Sequence, residues 1–225
     1  AGRPSSVALP EIVADIVGRR LDRMPADERR LLSAASVLGE EFSLEPLEDL
    51  TGVNRLELAG MLDAIESGPG LVRSGQAGYR FDHSKVREAA YWRTGAGLRR
   101  EMHRLAAESY LRRGAEGKLS DIALHLHNAG DPRAAGRLVE AARDARARFA
   151  TEEAARMFRL AADHGKADRS VLAELAGCER TLGLYDSALS IFEGLLACSV
   201  GLEWGGILAQ MAEVHNLKSD WPWSL

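Results

Sequence analysis

The sequence predicts a mainly α-helical protein with one small β-hairpin in its first half and paired helices in its second half. Three observations carry this prediction. Apolar residues recur at helical spacing along most of the 225-residue chain. Two short strand-like runs flank a glycine-bearing loop between Leu71 and Phe81. After Gly95 the pattern is helical throughout, and part of it repeats at a fixed interval.

Pro10 opens the first run, residues 11–24, where Ile12, Ile16 and Leu21 form an apolar stripe. Proline suits a first helical turn because the amide it lacks is unsatisfied there anyway, and Pro25 ends the run. The next helix, Asp27 to Leu38, turns Leu31, Leu32, Ala35 and Val37 or Leu38 inward and stops at Gly39. Phe42 enters the core after that stop. Ser43 caps a short helix, Leu44 to Leu50, that ends at Thr51-Gly52. Asn54 caps a third helix carrying Leu56, Leu58, Met61, Leu62 and Ile65, closed by Ser67-Gly68-Pro69-Gly70. The strands Leu71–Arg73 and Tyr79–Phe81 then flank Ser74-Gly75-Gln76-Ala77-Gly78. Three helices followed by a hairpin is the winged-helix order, and residues 25–94 fit it.

The second strand runs straight into a helix. Val86, Ala89 and Ala90 take helical spacing, and Ser84 stands at the expected N-cap with His83 just before it. Further on, Gly97 to Arg113 is a helix with Leu98, Met102, Leu105, Ala106 and Tyr110 or Leu111 inward. Leu119 to Ala129 is another, ended by Gly130-Asp131-Pro132.

The repeat is found by subtraction. Ala154 and Ala188, Phe158 and Phe192, Leu138 and Leu172, and Ala142 and Ala176 are each 34 residues apart. Thirty-four is the tetratricopeptide period, so residues 95–225 read as an α-solenoid of tetratricopeptide-like helical hairpins. Gly183-Leu184-Tyr185-Asp186 is the turn of the second unit, whereas the first unit has no glycine turn. A third unit begins near Glu203. The chain starts at Ala1 and stops at Trp221-Pro222-Trp223-Ser224-Leu225, and it is read as a segment of a longer cytoplasmic protein.

Composition narrows the function classes. The chain is 46% hydrophobic and 28% charged, with a net charge of −4 and an isoelectric point near 5.9. A protein built to neutralise DNA phosphates shows a basic excess that this one lacks. The third helix sets Arg55 against Glu57, Asp63 and Glu66, which disfavours phosphate. Arg99, Arg100, Arg104, Arg112 and Arg113 make a more basic stretch, balanced by Glu101 and Glu108. Cys178 and Cys198 have no motif spacing and read as small apolar core residues. His125 and His127 are two apart on one helix and point to different faces, so they do not pair as metal ligands. His125 is expected to pack or hydrogen-bond, while His103, His164 and His215 have no partner visible in the sequence. Gly114 to Ser120 has the wrong glycine spacing for a P-loop, with Leu119 where a Mg²⁺-binding hydroxyl belongs. No catalytic or metal-ligating constellation emerges, and the segment is read as non-enzymatic.

The stretch Phe81, His83, Val86, Arg87, Glu88 and Ala89 resembles the end of the winged-helix domain in STAND-class signalling ATPases. Arg20 to Pro25 followed by Leu31 to Gly39, Arg99 to Ala106, and His125 to Asp131 are similar to neighbouring segments of bacterial members. Those members include LuxR-type and MalT-like transcription regulators and modules fused to cyclases or kinases. Ser84 stands where relatives carry an aspartate. The resemblance implies a linker helix over 1–24 leading from an upstream nucleotide-binding domain in cis, where ATP and ADP bind. It implies that His83 senses the nucleotide state, beside the plainer reading that His83 simply caps or packs beside the wing. It also implies signal transduction through a protein partner or inducer on the repeats, or through self-association, with neither a membrane nor direct nucleic-acid binding involved. Two other readings stand beside it: a helical-repeat scaffold without a nucleotide role, and a DNA-binding winged helix.

Overall fold

The structure, a computed structural model, describes residues 17–218 except 77, 115–116, 166–167 and 198–201. The expected helix start at Pro10, with Ile12 and Ile16, lies outside the described residues, as do Cys198 and the stretch from Trp221 to Leu225. The protein is mainly helical with a small three-stranded antiparallel sheet. It divides into two compact units, Ala1–Ala115 with Asn128–Gly130, and Glu116–His127 with Asp131–Leu225. Among the described residues, no helix is long and apolar enough to cross a membrane.

The first unit begins with α1, whose described part is residues 17–23. Helices α2 (Ala26–Leu38), α3 (Leu44–Thr51) and α4 (Arg55–Ser67) follow, with the two-residue strand β1 (Glu41–Phe42) between α2 and α3. Asn54 caps α4, its side-chain oxygen accepting from the Glu57 amide at 3.1 Å. Strands β2 (Val72–Gly75) and β3 (Gly78–Phe81) form the hairpin, and the sheet order is β1-β3-β2. Phe42 pairs with Tyr79, and Val72 with Phe81. β1 extends the expected two strands to three. Its side chains explain the pairing: Phe42 is buried, and its ring lies 5.5 Å from Phe81 and 6.3 Å from Tyr79.

Helices α5 (Ser84–Arg93) and α6 (Ala96–Arg112) complete the unit. α6 packs on α2 and α3, so the contacts place it with the first unit although the sequence groups it with the repeats. One core holds Leu31, Leu32, Leu47, Leu58, Leu62, Ile65 and Leu71, each at most 2% exposed. Leu56 is the exception to the expected stripe of α4, being 85% exposed. The buried stripe is Leu58, Leu62 and Ile65, and a residue two positions before Leu58 sits on the opposite side of a 3.6-residue helix. Leu98, also expected inward, is half-exposed at the start of α6.

The second unit is helical in all its described elements: α7 (Leu119–Ala129), α8 (Ala134–Ala147), α9 (Thr151–Asp163), α10 (Arg169–Thr181), α11 (Tyr185–Ala197) and α12 (Leu202–Lys218). From α8 to α12, each helix packs on the next. Of the pairs 34 apart, Leu138 is fully buried while Leu172 is only partly buried, and the other three pairs take matching places. Ala142, Ala154, Ala176 and Ala188 are fully buried, as are Phe158 and Phe192 to within 1%. Alanine lets the helices cross closely, and each phenylalanine fills the space beside the crossing.

The turns repeat as well. Between α8 and α9, the Ala150 amide donates to the Ala145 carbonyl at 2.9 Å and the Phe149 amide to the Arg146 carbonyl at 3.0 Å. Between α10 and α11, Leu184 donates to Glu179 at 2.9 Å and Gly183 to Arg180 at 3.0 Å. Both are glycine-type helix caps, yet only the second carries glycine.

Candidate functional site

The junction around His83 is built by a strand that stays extended until the helix begins. Phe81 anchors β3 in the core, the Asp82 amide donates to the Leu71 carbonyl at 3.0 Å, and Asp82 pairs with Arg73. His83 keeps extended backbone angles, φ −149° and ψ 141°, and is itself the N-cap of α5. Its Nδ1 accepts from the Lys85 amide at 3.1 Å. The expectation that Ser84 caps this helix is therefore corrected. The extended conformation lasts through His83, which makes Ser84 the first helical residue and hands the capping role to the imidazole. An Nδ1 that accepts leaves the ring proton on Nε2, and the side chain is exposed.

The rest of α5 is held at several points. Lys85 pairs with Glu88, and Arg87 donates to the Ser36 carbonyl at 3.4 Å. At the C-terminal end, Thr94 Oγ1 donates to the Ala90 carbonyl at 2.9 Å. Arg99 lies over the Tyr91 and Trp92 rings at 4.8 and 4.7 Å and donates to the Tyr91 and Thr94 carbonyls. This joins cation–π attraction to helix capping. The Tyr91 hydroxyl and His103 Nε2 are hydrogen-bonded at 3.0 Å, with His103 buried. His103 thus has a partner that the sequence did not reveal.

The basic stretch is largely neutralised where it stands. Arg104 bridges Glu101 and Glu108. Those hydrogen bonds hold Arg104 further above its ordinary value and, through Arg104, hold Glu101 below its own. Arg112 and Arg113 converge on Asp49 at 3.3 and 2.8 Å. Burial pushes the Asp49 carboxyl up, but the Ser109 hydroxyl and the two guanidinium groups outweigh it and leave it below the usual carboxylate value. On α4, Arg55 is held by Glu48 at 2.8 Å and Glu45 at 3.2 Å.

A cavity of about 570 Å³ lies in the first unit between α2, α4 and α6. Leu58, Met61 and Leu98 supply apolar surface, and Asp27, Glu28, Glu57 and Arg30 also line it. In the second unit a groove of about 400 Å³ is lined from α8, α10 and α12 by Arg146, Glu174, Arg180 and Gln210, with the small residues Ala173 and Gly177 among them.

Histidines of the second unit separate into two environments. His125 is buried, and burial pulls its pKa down to about 4. His127 Nδ1 and His164 Nε2 share a hydrogen bond at 2.9 Å. Burial first, then the neighbouring His164, push His127 below the ordinary histidine value. His164 lies 37 residues beyond His127, which is one 34-residue repeat plus nearly one helical turn. That spacing was the available signal for the pair. Among the described residues, no group of three or more His, Cys, Asp or Glu side chains converges as a metal site. Cys178 is buried, which raises its thiol pKa. Lys118, within the stretch that superficially resembles a P-loop, pairs with Asp121 at 2.9 Å.

No family model, curated protein or solved structure matches the chain.

Proposed function

We propose that this chain is the regulatory and protein-interaction segment of a nucleotide-switched signalling ATPase of the STAND class. In this reading residues 25–94 act as a winged helix, and the later helices act as a tetratricopeptide-like solenoid. The observation that carries the proposal is His83. Its Nδ1 is occupied by the helix cap, and the opposite edge of an exposed ring is left as a single N–H donor. That donor fits a phosphate oxygen of ADP held by an upstream module of the same polypeptide, where nucleotide exchange supplies the switching chemistry. The cap fixes which edge of the imidazole faces outward. The contacts at both ends of α5 convert release of His83 into movement of a whole helix rather than of one side chain. The solenoid then presents its surface to a protein partner, an inducer or another copy.

The test separates capping from sensing in the full-length protein. His83→Ala removes both the cap and the outward donor. His83→Asn keeps a good cap, since asparagine is among the preferred N-cap residues, but lacks the Nε2–H. ADP release is expected to quicken and basal signalling to rise in both variants. Faster release in His83→Ala alone would assign His83 to structure, and unchanged release in both would sink the proposal.

The scaffold reading is favoured by the groove on α8, α10 and α12. Its small residues leave room for an extended peptide, whose carboxylates would share Arg146 and Arg180 with their present partners Glu174 and Glu213. Partner binding lost on Arg180→Glu but insensitive to His83 substitution would support it. Arg55, committed to two glutamates, gives the DNA-binding reading little to work with.

A further inference from the structure

Phe149 stands in the position where the next hairpin has Gly183, 34 residues on, and the two turns close with the same pair of hydrogen bonds. Its φ is +61° and that of Gly183 is +75°. Among the described residues, Phe149 is the one non-glycine with positive φ. Glycine enters this conformation without steric penalty, and phenylalanine does not. The ring recovers nothing inside the protein, since Phe149 is 92% exposed. The chain therefore holds an aromatic side chain outward on strained backbone, at a site where its own neighbouring hairpin contains the unstrained solution. Strain kept without a packing return is a signature of function, and aromatic side chains are the common anchors of protein interfaces.

We infer that Phe149 is the anchor of a self-association contact and enters the cavity between α2, α4 and α6 on a second copy of this chain. At about 570 Å³ the cavity falls within the range of small-molecule clefts and has room for more than one phenyl ring. Met61 and the half-exposed Leu98 line it, and methionine adapts well to an aromatic ring. Its charged lining is Asp27, Glu28 and Glu57 against the single Arg30. Phe149 follows Arg146 and Arg148, whose side chains are 52% and 54% exposed. At home they pair with Glu174, Asp144 and Glu153. The Arg148 pairs are exposed and worth little in water, and Glu174, the more buried partner, keeps Arg143 at 2.8 Å when Arg146 turns away. The anchor thus approaches an acidic mouth with two guanidinium groups beside it. Because the anchor and the cavity are different surfaces, they meet either head to tail or reciprocally in a two-fold dimer, and each contact uses one anchor and one cavity.

Sedimentation velocity on the 225-residue chain tests this directly. The wild-type sedimentation coefficient is expected to rise with concentration, and F149G, whose glycine fits the turn, is expected to stay monomeric over the same range. The double variant Glu28→Lys/Glu57→Lys should also stay monomeric while keeping its helical circular-dichroism signal. If that pair of changes unfolds it, Leu98→Lys charges the half-exposed edge of the cavity instead. An equimolar mixture of F149G with the cavity variant contains one intact cavity and one intact anchor, and it is expected to form a heterodimer and nothing larger. A wild type that is monomeric into the millimolar range overturns the inference. So does association that survives in either variant alone, and so does a mixture that remains monomeric, which would place Phe149 on some other surface.

Discussion

The two units bury their apolar residues by different means. The first fills one core with leucine and isoleucine from α2, α3 and α4, then fixes its junctions with individual side-chain contacts, such as His83 on Lys85 and Arg99 on Tyr91. The second repeats one solution, with alanine at each crossing and phenylalanine beside it. The difference teaches where information lies. In the second unit a residue's role follows from its place in the period, and a departure from the period stands out. In the first unit roles are assigned singly, and the site is made of such assignments.

The largest effect is expected where the repeated solution has its bulk. Phe158 is fully buried in a cluster dominated by alanine. Alanines have no side chain with which to fill a vacated space, so Phe158→Ala should cost about 3–5 kcal/mol in urea unfolding followed by circular dichroism. A loss under about 1 kcal/mol would mean that the helices hold together through the alanine crossings alone.

A second test concerns His125, which departs from the apolar pattern of the second unit. It is buried with its pKa drawn down to about 4, so it is neutral in the folded protein. The unfolded chain takes up the proton first, near the ordinary value of 6.5. Stability is therefore fully present above about pH 6.5 and falls as the pH drops towards 4, by ~3 kcal/mol when the whole window is crossed. The difference in melting temperature between the wild type and His125→Leu should be constant above about pH 6.5 and move against the wild type as the pH falls below it. Parallel curves would show that His125 carries no such linkage.

Much of the fold was legible in the sequence, and the reasons differ between the units. The interval of 34 residues pointed to Ala154, Ala188, Phe158 and Phe192, all of them buried. Asn54 announced the start of α4 through its capping chemistry. β1 escaped because two residues carry no alternation to detect. Leu56 was named with the other apolar residues of α4, and apolar character alone does not say that it faces away from the core. The packing of α6 on α2 and α3 was hidden for a related reason: periodicity shows which face is apolar and not which neighbour covers it. At the junction, the sequence offered both Ser84 and His83 as caps, and the extended backbone angles of His83 decide between them. The partner of His103 comes from another helix, and a single sequence names no such pair.

The smallest effect gives the sharpest comparison, because it exchanges two residues between equivalent turns. Gly183→Phe places a side chain at φ +75° at a cost of about 1–2 kcal/mol, of which roughly 0.5–1 kcal/mol is offset by the smaller freedom of the unfolded chain, so it should destabilise by about 0.5–1 kcal/mol net. Phe149→Gly removes the same penalty, and glycine returns roughly 0.5–1 kcal/mol of it through the larger freedom of the unfolded chain. A net gain of about 0.5–1 kcal/mol remains. Because the Phe149 ring is almost wholly exposed, no packing loss offsets that gain. Equal and opposite signs in the two variants would establish that the turns are interchangeable and that Phe149 is retained for something outside the fold. If Phe149→Gly instead destabilises by more than about 0.5 kcal/mol, the ring is contributing contacts at home. The repeat would then have two distinct turn solutions, rather than one solution and one exception kept for binding.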